Sequence, residues 1–264
     1  PASGAAGPAT LRPQAALSDS AFRALVEGLS EPGRYFDTDN LISNEASYLH
    51  VVDELEARGV RGGAYIGVGP GQNFSYMTAI RPVLAFIVDI RRDNLLQHLW
   101  FKALFERSSS RLDFLCLAVA RACGGASEGL DVEGLVARVD RAVPVDTLER
   151  LIDGVVDHVA ATGVPLDATD RAKVRSIHRR FAAAGLDLQF NTHGRPPRRG
   201  YPTFRRLLLE RDRGRRRASY LADEDGYRYL ATLQRQNRVV PVVGDLAGDR
   251  AVAGIGRELT GRGL

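Results

Sequence analysis

The stretch from Ala64 to Ile90, AYIGVGPGQNFSYMTAIRPVLAFIVDI, constrains the fold more than any other part of this chain. It opens with an apolar run, Ala64 to Val68, of the length of a buried strand. Glycines fall at alternate positions: Gly67, Gly69 and Gly71. Asn73 to Ile80 can be helical and ends at Arg81-Pro82. A second apolar run, Val83 to Val88, closes on Asp89. Strand, glycine turn, helix, strand and acid thus occupy 26 residues. A βα unit of this kind builds a nucleotide site. Glycines let backbone approach a ligand closely and take up positive φ. The helix start offers free N–H groups and a positive dipole end. An acid at the tip of the second strand can accept hydrogen bonds from ribose hydroxyls. Asp89 lies 20 residues after Gly69, the spacing such a site uses.

The glycine spacing separates nucleotide classes. The dinucleotide fingerprint G-x-G-x-x-G needs a third glycine at position 72 or 74, where this chain has Gln72 and Phe74. The spacing here is G-x-G-x-G. In this the stretch resembles the first motif of the class I S-adenosylmethionine-dependent methyltransferases. Their glycine loop packs against the methionine part of the cofactor, and the acid after the second strand holds the ribose. The resemblance implies a cofactor-binding set of Gly67, Gly69, Gly71, Gln72, Asn73, Asp89, Ile90 and Asp245. Asp245 takes the place of the acid after the third strand, which meets the adenine amino group. One residue departs from the pattern: Tyr65 stands where such enzymes often carry an acid that anchors the amino-acid moiety. The segments FDTDNLISNE, VGPGQNFSYMTAIRP, AFIVDIRRDNLLQHLWFKALFE and VVPVVGDLAG together resemble a bacterial family of poorly characterised methyltransferase-like proteins. They cover roughly a third of the chain. The competing readings are a tight strand–helix turn that binds nothing, and another nucleotide.

A chain of 264 residues can bury a sizeable core as one domain or as one domain with an insertion. With 44% hydrophobic and 26% charged residues it has the composition of a globular protein. No apolar run approaches the roughly 18 residues of a membrane span. Cys116 and Cys123 lie seven apart in a helical pattern. That places them roughly 10 Å apart, too far for a direct bridge, so they read as core thiols. No cysteine–histidine cluster of metal type is present. Residues 1–17 read as a flexible N-terminal arm: a tail, a cloning scar or the start of an exported mature form. A cytoplasmic setting suits an adenosylmethionine ligand.

Ser18 or Asp19 caps a helix with Phe22, Leu25, Val26 and Leu29 on one face. Ser43-Asn44-Glu45 leads into a helix of Ala46 to Arg58 with Tyr48, Val51, Val52 and Leu55 inward. Asn44 and Glu45 either cap that helix or face the pocket. After Asp89 the periodicity predicts a long amphipathic helix, a break at Ser108 to Ser110, and a second helix from Leu112. His98 reads as a packing or surface histidine and not as a base. Arg91 and Arg92 are placed to hold the strand tip or a charged ligand. Residues 124–185 read as helices separated by Gly and Pro, with Asp146 and Asp167 as N-caps. Leu186 to Phe190 alternates as a short strand.

Residues 191–217 carry ten arginines against Glu210 and Asp212, a net of +8 in a chain of net +4. The 195–217 loop is thus a candidate site for an anionic substrate or partner, or a solvated surface in a chain that uses Arg in place of Lys. His193, in a polar loop past a strand, is a candidate base, and Tyr201 a candidate substrate contact. Arg238 to Val243 is the last strand, and Asp245 after it also suits an N-cap for a helix of Arg250 to Leu259.

The expected architecture is α/β: residues 18–264 as one Rossmann-like, methyltransferase-type domain with a helical insertion at about 106–235. Three visible strands make a small sheet. Either further short strands lie in the insertion, or the chain is truncated at its C-terminus. The expected function is an S-adenosylmethionine-binding, methyltransferase-like protein of unknown acceptor. The alternative is a non-catalytic nucleotide-binding or interaction module that recruits an anionic partner through the arginine-rich loop. Oligomeric state is not legible.

Overall fold

The computed structural model describes residues 15–125, 127–193 and 200–264. Most of the expected arm over 1–17 lies outside them. At its end Leu17 is tied down, its N–H donating to the Gln236 carbonyl at 3.0 Å.

Helix α1 spans Asp19–Leu29, and the Ser18 hydroxyl caps it by accepting from the Ala21 N–H. The helix expected from Ala46 starts instead as a 3₁₀ turn, Ala46–Val51, and becomes α-helical only in α2, Val52–Ala57. The tighter winding changes which side chains share a face. Tyr48, Leu49 and Val52 are buried, while Val51, expected inward, is 44% exposed.

Strand β1 (Ala64–Val68), α3 (Gln72–Ile80) and β2 (Leu84–Asp89) follow. Then come α4 (Arg92–Arg107), α5 (Arg111–Ala118), β3 (Arg121–Ala122), α6 (Val132–Arg141), β4 (Val143–Pro144), α7 (Leu148–Ala161) and α8 (Ala168–Ala184). The chain closes with α9 (Phe204–Leu208), α10 (Glu224–Arg235), β5 (Val239–Val243) and α11 (Ala251–Gly261). The Asp167 cap is a full capping box with Asp170. Asp146 does not cap: Thr147 takes the position before α7 without a side-chain bond. The strand expected over 186–190 shrinks to a 3₁₀ turn, Gly185–Asp187, and one bridge between Gln189 and Thr203.

The fold is mixed α/β. Its main sheet has, among the described residues, three parallel strands in the order β1-β2-β5. Ile66 lies opposite Phe86, and Val88 opposite Val242. The central strand β2 is buried along its whole length, which explains its unbroken apolar run. Two short strands do lie in the insertion, but β3 and β4 pair antiparallel with each other and leave the main sheet unchanged.

Helix α4 departs most from its expected amphipathic character. Every residue from Asn94 to Phe105 is buried. The helix packs on β2 and β5 and is also covered by α7, α8 and α10. Trp100 sits among Phe101, His178 and Phe181. The helices of the insertion therefore share one hydrophobic core with the sheet.

Cys116 and Cys123 form a disulfide, contrary to the expectation of free thiols. The helix that would have kept them apart ends at Ala118, and Ala120 adopts a left-handed φ of 51°. The chain reverses there, so the two Cα atoms are 6.0 Å apart, within bridging range. Among the described residues no helix is long and apolar enough to cross a membrane, and no group of three His, Cys, Asp or Glu is placed to hold a metal ion.

Candidate functional site

Parallel pairing brings the ends of β1, β2 and β5 to one edge of the sheet. The glycine turn follows β1, Asp89 ends β2, and Asp245 follows β5. Open parallel sheets bind ligands at this carboxyl edge. Adjacency is direct: Asp89 is in register with Val243, and the Gly244 N–H donates to the Asp89 carbonyl at 2.9 Å.

The three glycines have different physical reasons. Gly69 has φ 81°, which an L side chain rarely adopts. Gly67 is required by packing. A Cβ there would lie 2.1 Å from Asn73 Oδ1 and 2.5 Å from the Tyr65 ring. Gly71 precedes α3 and approaches Phe101.

Asn73 was expected to face the cofactor, but it works inside the turn. It is 1% exposed. Its amide donates to the carbonyls of Val68, Gly69 and Pro70, and its oxygen accepts from the Tyr65 hydroxyl at 2.7 Å. Tyr65, in place of an acid, is thus the partner that orients Asn73. The His98 ring supports the turn from α4, with Nε2 2.9 Å from the Gly69 carbonyl. Burial pushes the His98 pKa down to about 4. The ring is then neutral near pH 7, and the nitrogen facing a carbonyl must carry the proton. Its Nδ1 is a buried acceptor without a partner among the described residues.

Asp89 does not stand open. Arg91 donates to it from its backbone N–H (2.9 Å), Nε (3.0 Å) and Nη2 (2.8 Å). Both side chains are 7% exposed. The same guanidinium donates through Nη1 to the carbonyls of Thr38 and Asp39. It thereby pins a strap, residues 31–41, that crosses the sheet edge. The Glu31 N–H donates to the Val243 carbonyl at the end of β5, and the Arg34 N–H to the Ile90 carbonyl after β2. The Asn40 amide lies beside Gly69, and the Leu41 carbonyl accepts from Gln97 at 2.6 Å. Asp245 accepts from Arg34 and from the Ala247 N–H. It does not cap α11: Glu31 accepts from the Ala251 N–H at 2.8 Å.

Several buried polar atoms around the strap and the turn have no partner in the described structure: Thr38 Oγ1, Gln72 Oε1, both amide atoms of Asn94, and His98 Nδ1. Asn94 and His98 are one turn apart on α4. Buried polar groups are normally satisfied, so this edge offers hydrogen-bonding capacity beyond what the protein itself uses.

The other expected residues are scattered. Asn44 and Glu45 are exposed, and the turn there is made by Ser43, whose hydroxyl accepts from the Glu45 N–H. His193 is exposed and lines a 90 Å³ crevice with Asp39, Asp93, Lys173 and Arg180. Tyr201 packs edge-on against Phe190 at 4.8 Å. A 30 Å³ cavity lined by Leu41, Gly71, Gln72 and Phe101 adjoins the turn.

In the 195–217 loop, Arg195, Arg198 and Arg199 lie outside the described residues. Arg205 pairs with Asp140 and Asp187, Arg216 with Glu56 and Asp212, and Arg217 with Glu133. Arg206 and Arg211 lie 3.9 and 3.7 Å from Glu210 and Glu133. Part of the charge concentrated in sequence is therefore neutralised by acids from elsewhere, at Glu56, Glu133, Asp140 and Asp187, and part by the loop's own Glu210 and Asp212. Sequence reasoning placed Arg91 near the strand tip but missed the strap, Tyr65–Asn73 and Asn94. Only the position of Arg91, two residues past the acid, pointed to its partner.

A family model described as a domain of unknown function, DUF7790, matches residues 41–123 and 190–264, more than half of the chain. The match takes in the glycine turn, Asp89, α4 and β5, and the unmatched residues between hold α6, α7 and α8. No curated protein matches the chain.

Proposed function

The chain belongs to the DUF7790 family, and we propose that it is a Rossmann-like, methyltransferase-type protein that binds an S-adenosylmethionine-class cofactor at the carboxyl edge of its sheet. One observation carries this reading. The order β1-β2-β5 gathers the glycine turn, Asp89 and Asp245 at one edge, and buried polar atoms without partners cluster beside them.

The donor set fits the nucleoside half of such a cofactor. Asp89 would hold the ribose hydroxyls, Asp245 would meet the adenine amino group, and the backbone from Gly69 to Gln72 would face the rest. Gly67 and Asn73 hold the turn in shape, and Ile90 fixes the strap through its carbonyl. When bound, this cofactor supplies a methyl group on a sulfonium. The chain's own part is positioning and exclusion of water. The strap covers the edge, and Arg91 occupies Asp89, so a ribose must displace a guanidinium to bind. Calorimetric titration with S-adenosylhomocysteine tests the reading, with NAD as control. Binding of the first and not the second, weakened in Asp89→Asn, supports it. Absence of binding to the folded chain contradicts it.

A second reading is favoured by the Arg91–Asp89 pair itself. A carboxylate satisfied by its own chain suits a module that keeps the scaffold without the cofactor and acts by recruiting a partner. The cofactor suits a cytoplasmic setting, whereas the Cys116–Cys123 bridge favours an oxidising compartment.

A further inference from the structure

A second site lies at the opposite edge of the sheet, and its chemistry is independent of the cofactor reading. A cleft of about 220 Å³ is lined by Arg61, Arg81, Arg216, Arg217, Glu56 and Asp223, among others. Arg61 precedes β1 and Arg81 precedes β2, so the cleft sits at the amino edge, away from the glycine turn. Arg216 and Arg217 come from the arginine-rich loop. Four arginines from three separate stretches of the chain thus meet in one cleft.

The acids nearby do not exhaust these arginines. On the lining, Asp223 is spent capping α10, its carboxylate accepting from the Gly226 N–H at 2.7 Å, and Glu56 binds Arg216 at 2.7 Å. Beyond the lining, Asp212 takes Nε of Arg216, Glu133 takes Nε of Arg217, and Asp225 takes Nη2 of Arg81. Arg81 also donates through Nε to the Thr78 carbonyl and lies 4.6 Å over the Tyr229 ring. Each guanidinium has five N–H donors, roughly twenty in all, and the described bonds use five. Arg61 is exposed and makes no bond or ion pair with a described residue. The Thr78 and Ser219 hydroxyls donate to the carbonyls of Ser75 and Leu208. The cleft is therefore rich in unused donors.

We propose that this cleft binds the phosphate group of a small phosphorylated ligand. Guanidinium forks match phosphate oxygens in pairs, and a phosphate supplies acceptors for the donors left unused. The volume suits a small ligand: at about 30 Å³ per water in the liquid, it is the space of roughly seven waters. Phosphate on a nucleic acid would need an extended basic face, and of the loop's other described arginines Arg205, Arg206 and Arg211 lie against acids.

The test uses the full chain at fixed ionic strength, titrated with inorganic phosphate and with pyrophosphate by calorimetry. Arg61→Gln is the informative variant, because Arg61 holds nothing else and its loss leaves the melting temperature in phosphate-free buffer unchanged. The expected result is saturable binding at one site, with a Kd of about 1 mM or tighter for one of the two, weakened roughly ten-fold in Arg61→Gln. Absence of saturable binding below about 10 mM, or binding indifferent to Arg61→Gln, overturns the proposal. So does binding of single-stranded oligonucleotides with neither phosphate probe bound. None of these outcomes bears on Asp89 or on the carboxyl edge.

Discussion

Replacing Arg91 with methionine probes the strap and the candidate site together. The substitution keeps the aliphatic stem and removes the guanidinium. Four side-chain hydrogen bonds are lost, two to Asp89 and two to the carbonyls of Thr38 and Asp39. Only the backbone N–H of residue 91 still reaches the carboxylate. Asp89 is then an unpaired charge in a position 7% exposed. Removing one member of a buried pair costs about 3–5 kcal/mol. For a chain of this size each kcal/mol lowers Tm by about 2–4 °C, so a fall of roughly 6–20 °C is expected by circular dichroism. The double variant Asp89→Asn with Arg91→Met removes the stranded charge. It should recover much of the loss, giving a coupling energy of about 1–3 kcal/mol in a double-mutant cycle. A single variant that loses less than about 1 kcal/mol, within the range of exposed pairs, would refute the claim that this pair pins the strap.

Three further outcomes follow from the same geometry. His98 and His178 are buried with pKa values pushed down to about 4. The unfolded chain therefore binds more protons between pH 4 and an unfolded pKa near 6.5. Their contribution to stability is complete above about pH 6.5 and is lost as pH falls towards 4, on the order of 3 kcal/mol per histidine at the limit. Urea titrations across that window should show the slope, and His98→Gln should flatten it. Gly67→Ala should cost about 1–3 kcal/mol by overpacking, because its Cβ would lie 2.1 Å from Asn73 Oδ1, and Gly71→Ala should cost less. Thiol titration of the native chain should find no free cysteine. Cys116→Ser with Cys123→Ser should lose about 2.5 kcal/mol, the loop-closure value for a bridge this short.

The local code of this chain was legible where periodicity and caps decide it. The apolar run of β2, the glycine turn, and the caps at Ser18 and Asp167 all appear where the residues place them. What failed was set by tertiary partners. Helix α4 reads as amphipathic because His98, Gln97 and Lys102 are polar. In the fold each finds a buried partner in Gly69, Leu41, Glu106 or Gln234, so the helix can be enclosed. The cysteine spacing implied a continuous helix, and a single left-handed residue at Ala120 removed that premise. The arginine-rich loop had its acids far away in sequence, at Glu56, Glu133 and Asp140. At the candidate site the turn and Asp89 could be read directly. The strap could not, because its contacts with Ile90 and Val243 are backbone bonds that any sequence could make, and the Arg91 guanidinium reaches the carbonyls of Thr38 and Asp39, which carry no side-chain signal.

The central claim is that Asp89 is a ribose-binding acid now held by Arg91. Calorimetric titration of S-adenosylmethionine into the wild-type chain and into Arg91→Met tests it most directly, at a temperature where both are folded. The account predicts micromolar or weaker binding to the wild type and tighter binding to Arg91→Met, because the competitor for the carboxylate is gone. Binding weakened by loss of Arg91, or seen in neither protein, would contradict it.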